Sequence, residues 1–150
     1  MRNKGGSGMA VTYEQIRNFM QGYFIAYTED CQLPDRQRVM DKYYAPDIAF
    51  DAGFSGRDIW YRICLSHPTW QDRVEPRRLC IDVENLTVSA MVTGTFVERS
   101  TGRVLQQIGM NAFYTLSADD RGDLKISRLD VFLESDLEKV RTMMKYLKNQ

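Results

Sequence analysis

The hydrophobic pattern of the chain changes its period near the middle, and this change restricts the fold more than any other feature. In the first half, apolar residues recur at helical spacing after Thr12, which stands three residues before Gln15 as in a capping box. This pattern predicts a helix from Tyr13 to about Thr28. From Arg77 onward, apolar residues alternate with polar ones, which is typical of half-buried strands. Helices followed by strands favour an α+β fold, with the helices packed against one face of a sheet.

Two further helices and a short strand are predicted before the sheet. A helix opens at Pro34, because proline suits the first turn of a helix, and a strand follows from Asp47 to Asp51. A third helix, for which Ser55 and Asp58 are suitable caps, places His67 at or near its end. The apolar stripe of this third helix consists of Ile59, Trp60, Ile63 and Cys64.

The second half of the chain predicts an antiparallel meander of four strands and a final helix. The strands are separated by polar turns, and a capping-box spacing between Ser135 and Glu138 opens the helix. Strands of this length twist, and a twisted sheet that curls around helices forms a cone-shaped barrel. The four strands begin at residues 77, 86, 103 and 124.

Composition excludes several classes of function. Twenty Lys and Arg balance twenty Asp and Glu among 150 residues, so there is no net charge to attract nucleic acid or an anionic membrane. The three cysteines are widely spaced and form no C-x-x-C pair, which predicts reduced thiols in a cytoplasmic protein. We expect residues 1–9 to be a flexible segment and residues 10–150 to form a single domain.

A curved sheet with helices inside it can leave a concave site for a small apolar ligand. The chain has two Trp, eight Tyr and seven Phe, and aromatic walls with a few polar groups are typical of such sites. A single histidine cannot build a multi-histidine metal site, and no glycine-rich nucleotide-binding loop is present. We therefore expect a hydrophobic, polycyclic ligand and no metal or nucleotide cofactor.

Two segments carry a resemblance to a known group of proteins. Residues 44–51 (YAPDIAFD) and residues 125–132 (KISRLDVF), together with the order of the elements, resemble the nuclear transport factor two-like superfamily. This superfamily includes SnoaL-like polyketide cyclases and ketosteroid isomerase, and the resemblance covers about residues 11–134. It implies a cone-shaped roll of mostly antiparallel sheet wrapped around N-terminal helices.

The resemblance to ketosteroid isomerase implies three catalytic positions. Its general base falls near Asp51, although an ungapped match places it on Ala52, so Asp51 serves only if the strand end is bulged or shifted. The two groups that hold the enolate oxygen correspond to Tyr23 and Asn111, whose amide donates a hydrogen bond at any pH. Each residue also has a non-catalytic interpretation. Asp51 can be a solvated carboxylate at a strand end, Asn111 can pair with a backbone group in the core, and Tyr23 can simply pack in the core.

Two more candidates have acid-base chemistry. His67 is suited to proton transfer at neutral pH, because histidine has an ordinary pKa of about 6.5. Alternatively, it caps the carbonyl groups at a helix end. Asp130 resembles a late-strand aspartate of some SnoaL-like cyclases. If Leu129 faces the pocket, however, strand alternation turns Asp130 outward to pair with Arg128 or with a dimer partner. The candidate ligand contacts are Phe24, Tyr27, Trp60, Phe113 and Leu129.

These observations lead to one main hypothesis and one alternative. The resemblance implies a cofactor-independent isomerase, cyclase or dehydratase that acts by proton transfer on a polyketide-like or terpenoid ketone in secondary metabolism. The alternative is a ligand-binding or dimerisation module of the same fold without activity. Under both hypotheses we expect a homodimer formed through the outer face of the sheet.

Overall fold

The first helix begins as the sequence predicts and ends in an unusual turn. The computed structural model describes residues 10–65, 67–134 and 137–148. Helix α1 spans Tyr13–Ile25, and its capping box is present, with Thr12 Oγ1 accepting from the Gln15 amide at 3.2 Å. The chain continues as one π-helical turn, Ala26–Asp30, where an α-helix was expected to reach Thr28. Tyr27 lies within this turn, and π-helical turns are frequent at functional sites.

The segment between α1 and the sheet departs from the prediction in three places. The second helix is a 3-10 helix, Gln37–Lys42, and does not start at Pro34, because Asp35 adopts a left-handed φ of 60°. Strand β1 is longer than predicted and spans Tyr44–Phe50. Helix α2, Arg57–Ile63, follows Gly56 with no side-chain cap, so neither Ser55 nor Asp58 has the predicted capping role. Ile63, placed on the apolar stripe of this helix, is 65% exposed.

The predicted meander of four antiparallel strands is confirmed. It consists of β2 (Trp70–Asp82), β3 (Thr87–Glu98), β4 (Val104–Ala118) and β5 (Leu124–Leu133). Strand β1 pairs in parallel with β5, which gives the order β1-β5-β4-β3-β2 in a curved sheet that does not close. Helix α3, Leu137–Lys148, follows the sheet, and the predicted cap Ser135 lies outside the described residues.

Strand β2 begins seven residues before the predicted position, at Trp70 instead of Arg77. It is an edge strand, and its early part is polar, so no alternation of apolar residues marks it. Pro76 is tolerated because an edge strand need not donate every amide, and the register shifts between Pro76 and Arg78. The additional residues bring Asp72 into the sheet, paired with Phe96 of β3.

The core lies between α1 and the inner face of the sheet. Tyr23 of α1 contacts Tyr114 of β4 and Tyr44 of β1 edge to face, with ring centroids 5.4 Å and 5.8 Å apart. Such aromatic pairs stabilise the packing beyond the area they bury, by roughly 0.5–1.5 kcal/mol each. This cluster fixes one end of α1 against the sheet. No helix in the described parts of the chain has the length and apolar character needed to cross a bilayer.

Candidate functional site

A cavity of about 270 Å³ lies between the helices and the inner face of the sheet. Its sheet wall includes Val92, Ala112 and Leu129, which alternate with outward-facing neighbours along their strands. The other wall contains Tyr27 from the π-helical turn after α1 and Trp60 from α2. The cavity is therefore an apolar hollow formed where a curved sheet meets two helices.

Asp72 is the buried carboxyl group of this cavity. Its Oδ2 accepts a hydrogen bond of 2.9 Å from the Tyr27 hydroxyl, and its Oδ1 is buried with no partner in the described structure. Its backbone amide donates to Oε1 of Gln32, a side chain that is itself buried. The carboxyl group is therefore held in place with one oxygen unpaired. Burying an unpaired oxygen lowers the stability of the fold unless that oxygen binds a ligand or a proton.

The surroundings of Asp72 change its protonation. Burial raises the pKa of this carboxyl group from 3.8 to about 6, and the hydrogen bond from Tyr27 lowers the pKa in part. Burial, and then the nearby Asp72 carboxylate, raise the pKa of Tyr27 well above its ordinary value, so this phenol remains a donor at neutral pH. An acid with a pKa near 6 can both accept and release a proton near neutrality.

Asp51 lies at the rim of the same cavity. Its Oδ2 accepts a hydrogen bond of 3.1 Å from the backbone amide of Val131, directly after the end of β1. The residue is exposed, in contrast to Asp72. The predicted base position is thus brought to the cavity, and the second carboxyl group lies deeper inside.

Three aromatic rings lie nearly parallel in one wall. Phe50 stacks on Trp60 with centroids 4.7 Å apart, and on Phe54 with centroids 4.8 Å apart. All three line the cavity, and Trp60 Nε1 is buried without a hydrogen-bond partner among the described residues. Together the three rings form one aromatic wall of the cavity.

Of the other candidates, Tyr23 and Leu129 line the cavity as expected. Tyr23 shares a hydrogen bond of 3.2 Å with the Tyr44 hydroxyl, in which either oxygen can be the donor. Phe24 belongs to the core, where it packs against Tyr23 and Tyr114, and it lines a separate groove beside β2. The expected contact of Phe24 with a ligand in this cavity is therefore corrected.

Three candidates face the other side of the sheet. Asn111 and Phe113 alternate with the cavity residues Met110, Ala112 and Tyr114, so they lie on the outer face. Asp130 also points outward and forms an ion pair of 2.8 Å with Arg128, one of the two alternatives left open for it. The placement of Asn111, Phe113 and Asp130 in the pocket is thus corrected by strand alternation.

His67 lies outside the cavity and after the helix that was expected to carry it. The helix ends at Ile63, and the His67 ring stacks on Trp70 at 3.7 Å, while Nδ1 lies 2.8 Å from the Trp70 carbonyl oxygen. Burial lowers the pKa of His67, so its neutral form is favoured. His67 therefore neither caps the helix nor lines the cavity.

Cys64 lines the cavity, but it is not activated as a nucleophile. Burial raises the pKa of its thiol to about 12. The thiolate is the reactive form, and it is scarcely populated at neutral pH. Acid-base chemistry at the carboxyl groups is therefore better supported by this site than covalent catalysis by cysteine.

Comparison with known proteins gives the fold. No protein-family model matches the chain, and no curated protein is similar enough to count as a match. A solved SnoaL-like polyketide cyclase from Agrobacterium tumefaciens is 12% identical with a TM-score of 0.57, over 86% of this chain and 97% of that one. An LEH-like epoxide hydrolase from M. tuberculosis is 13% identical with a TM-score of 0.60, over 89% and 90%. A ketosteroid isomerase-like protein from Erwinia carotovora atroseptica is 16% identical with a TM-score of 0.55, over 81% and 95%.

The chain has the same fold as these SnoaL-like and ketosteroid isomerase-like structures. The predicted fold is thus confirmed. Of the ten candidate site residues, half line the cavity, namely Tyr23, Tyr27, Asp51, Trp60 and Leu129, and the other half do not. Asp72 was missed because its strand was predicted to start at Arg77, which left Asp72 in a polar segment beside Arg73. The available signal was Val74, a partly buried apolar residue two positions after Asp72 and therefore on the same face of the strand.

The hydrogen bond between Tyr27 and Asp72 can be tested by Tyr27→Phe. A hydrogen bond to a charged group is worth roughly 1.5–3 kcal/mol, which corresponds to about one to two pH units. Because the phenol stabilises the carboxylate, its loss should raise the pKa of Asp72 above about 6 by this amount. Carboxyl-detected NMR titration measures the change. Tyr44→Phe removes another buried hydroxyl, one bonded to Tyr23, and should leave the Asp72 titration in place; equal shifts in both variants would contradict the assignment.

Proposed function

We propose that this protein is a cofactor-independent isomerase, cyclase or dehydratase that moves protons on a small neutral ketone of polyketide-like or terpenoid type. The observation that carries the proposal is the Asp72 carboxyl group, with a pKa of about 6 and an unpaired oxygen, in an apolar cavity. The fold neighbours named polyketide cyclase and ketosteroid isomerase-like support this class of reaction. A module that only binds ligands has no need of such a carboxyl group.

In the proposed reaction Asp72 is the base. Its carboxylate removes a proton from the carbon next to the ketone, which leaves an enolate on the ligand and a neutral carboxylic acid on Asp72. The acid then returns the proton to another carbon, or to a leaving hydroxyl group in a dehydration. Because the proton lost by the ligand is returned, no oxidant, reductant or metal is needed. General base catalysis of this kind contributes typically about 10²–10⁴ in rate.

Tyr23 is the proposed donor to the enolate oxygen. If Tyr44 donates to Tyr23 in their shared hydrogen bond, the Tyr23 proton is available to the ligand. Burial raises the pKa of Tyr23 well above its ordinary value, which keeps this proton on the phenol. Asn111 has no part in the proposal, because it faces the outer side of the sheet.

The proposal is tested by hydrogen exchange on a bound ketone. The purified protein is incubated with a methylated bicyclic enone in D₂O, and NMR follows deuterium incorporation beside the carbonyl group. We expect His67→Gln to leave the exchange rate unchanged, because His67 lies outside the cavity. Asp51→Asn should reduce the rate less than Asp72→Asn, since Asp51 is exposed at the rim. A rate that depends on His67 and not on Asp72 would reject the proposed base.

The homodimer stays a prediction. Phe113 and Phe132 lie together on the outer face with ring centroids 5.8 Å apart, and they are 47% and 56% exposed. A sheet face of this kind is suited to a second copy of the chain.

A further inference from the structure

The cavity wall contains a second unpaired polar atom besides the free oxygen of Asp72. Trp60 Nε1 is buried and has no hydrogen-bond partner in the described structure. An indole nitrogen can only donate, so its ligand partner must be an acceptor. Buried polar groups are nearly always paired in native proteins, and an exception in a cavity wall indicates a partner supplied from outside.

The position of this donor is fixed by stacking. The Trp60 ring lies 4.7 Å from Phe50 at an interplanar angle of 16°, so rotation of the indole would break the stack. Trp60 belongs to α2, whereas Tyr27 and Asp72 belong to the turn after α1 and to β2. The donor and the carboxyl group therefore stand on different elements of the same cavity.

The charge of the wall restricts the ligand further. Among the described residues that line the cavity, there are two carboxyl groups, Asp51 and Asp72, and no Lys, Arg or His. An anionic group placed here would be repelled by the carboxylates and would find no counterion. The acceptor that Trp60 binds is therefore a neutral oxygen.

We infer that the ligand carries a second neutral acceptor oxygen, remote from the reacting ketone. Trp60 Nε1 binds this oxygen while the ring system packs against the aromatic wall that contains Phe50, Phe54 and Trp60. The inference rests on the proposed function and specifies its substrate class. The substrate is a ring compound with two oxygen functions, one presented to Asp72 and Tyr23 and the other to Trp60. A ketone, an ester or an ether supplies the same acceptor chemistry at the second position.

The test compares two ligands on one skeleton: the methylated bicyclic enone and the enedione that has an additional ring carbonyl. Calorimetry measures the affinity of each for the wild type and for Trp60→Phe, which keeps an aromatic ring and removes the N–H group. We expect the enedione to bind the wild type about fivefold to tenfold more tightly than the enone, as one hydrogen bond allows. In Trp60→Phe this difference should disappear.

Trp70 provides a matched control. Its Nε1 is also buried and has no partner in the described part of the chain, but the residue packs with Phe96 and Ile108 in a separate cluster and does not line the cavity. Trp70→Phe should therefore leave the preference for the enedione unchanged.

The outcomes separate the two proposals. An enedione preference that survives in Trp60→Phe, or that is absent from the wild type, overturns the assignment of Trp60. If the enone still binds and exchanges its protons in an Asp72-dependent way, the proposed function stands without this second contact. If neither compound binds or exchanges, both the inference and the proposed function are rejected.

Discussion

Asp72→Asn should lower proton exchange on the ketone by about 10²–10⁴-fold, because it removes the proposed general base. The same substitution should make the free protein more stable at neutral pH. An asparagine retains an oxygen that can accept from Tyr27, so the local structure is preserved. A gain in stability together with a loss of activity would distinguish a functional carboxyl group from a structural one.

The sign of the stability change follows from the pKa of Asp72. The folded state holds this proton more tightly than the unfolded state, with a pKa of about 6 against 3.8. The wild type therefore loses stability as the pH rises from about 4 to about 6, by at most roughly 3 kcal/mol, and the penalty is constant above that window. The asparagine in Asp72→Asn does not titrate, so the free energy of unfolding of this variant should rise relative to that of the wild type through this window.

Denaturant unfolding at pH 4 and at pH 7 measures this effect. Asp47→Asn is a suitable control, because Asp47 is an exposed carboxylate on β1, and it should show no comparable gain. A loss of stability in Asp72→Asn at pH 7 would contradict the claim that the Asp72 carboxylate is held without adequate solvation or pairing.

Ala112→Phe should abolish ligand binding without unfolding the protein. Ala112 is 2% exposed in the middle of β4, opposite Ala90 of β3, and its side chain lines the cavity. A phenyl ring at this position enters a hollow of about 270 Å³, which is small for a ligand site. We expect affinity for the enone to fall at least about 100-fold, a change of roughly 2.7 kcal/mol. Overpacking should cost the fold only about 1–3 kcal/mol.

The neighbouring residue gives the control for this substitution. Phe113 follows Ala112 on the same strand but faces outward, so Phe113→Leu should leave the affinity unchanged. Calorimetric titration of both variants with the enone checks the result. Retained affinity in Ala112→Phe, or lost affinity in Phe113→Leu, would show that the ligand binds elsewhere.

Local signals in the sequence predicted the parts of the fold that they govern. The capping box at Thr12 marks the start of α1, and alternation of apolar residues marks β3, β4 and β5. The parallel pairing of β1 with β5 could not be predicted, because it joins segments about 80 residues apart and has no local signature. The predicted strand β2 was too short, because an edge strand can be polar and can contain a proline such as Pro76, so its first residues carry no apolar alternation.

The candidate site was harder to predict than the fold. Alternation along β5 correctly predicted that Leu129 and Asp130 face opposite sides of the sheet, so that Asp130 points outward if Leu129 faces the cavity. In β4 the outer face is also partly apolar, since it carries Phe113, so alternation does not say which face holds Asn111. The role of Asp72 could not be predicted, because it follows from where β2 starts and from the π-helical turn that positions Tyr27. Neither feature has a clear sequence pattern.

The pKa of the Asp72 carboxyl group in the free protein tests the account most directly. Carboxyl-detected NMR on protein labelled with ¹³C at aspartate, with Asp72→Asn used to assign the resonance, follows this one group through its titration. The account predicts a midpoint near pH 6, the value that burial of the carboxyl group imposes. A midpoint near or below the ordinary value of 3.8 would mean a solvated or fully paired carboxylate, and the proposed proton transfer would lose its base.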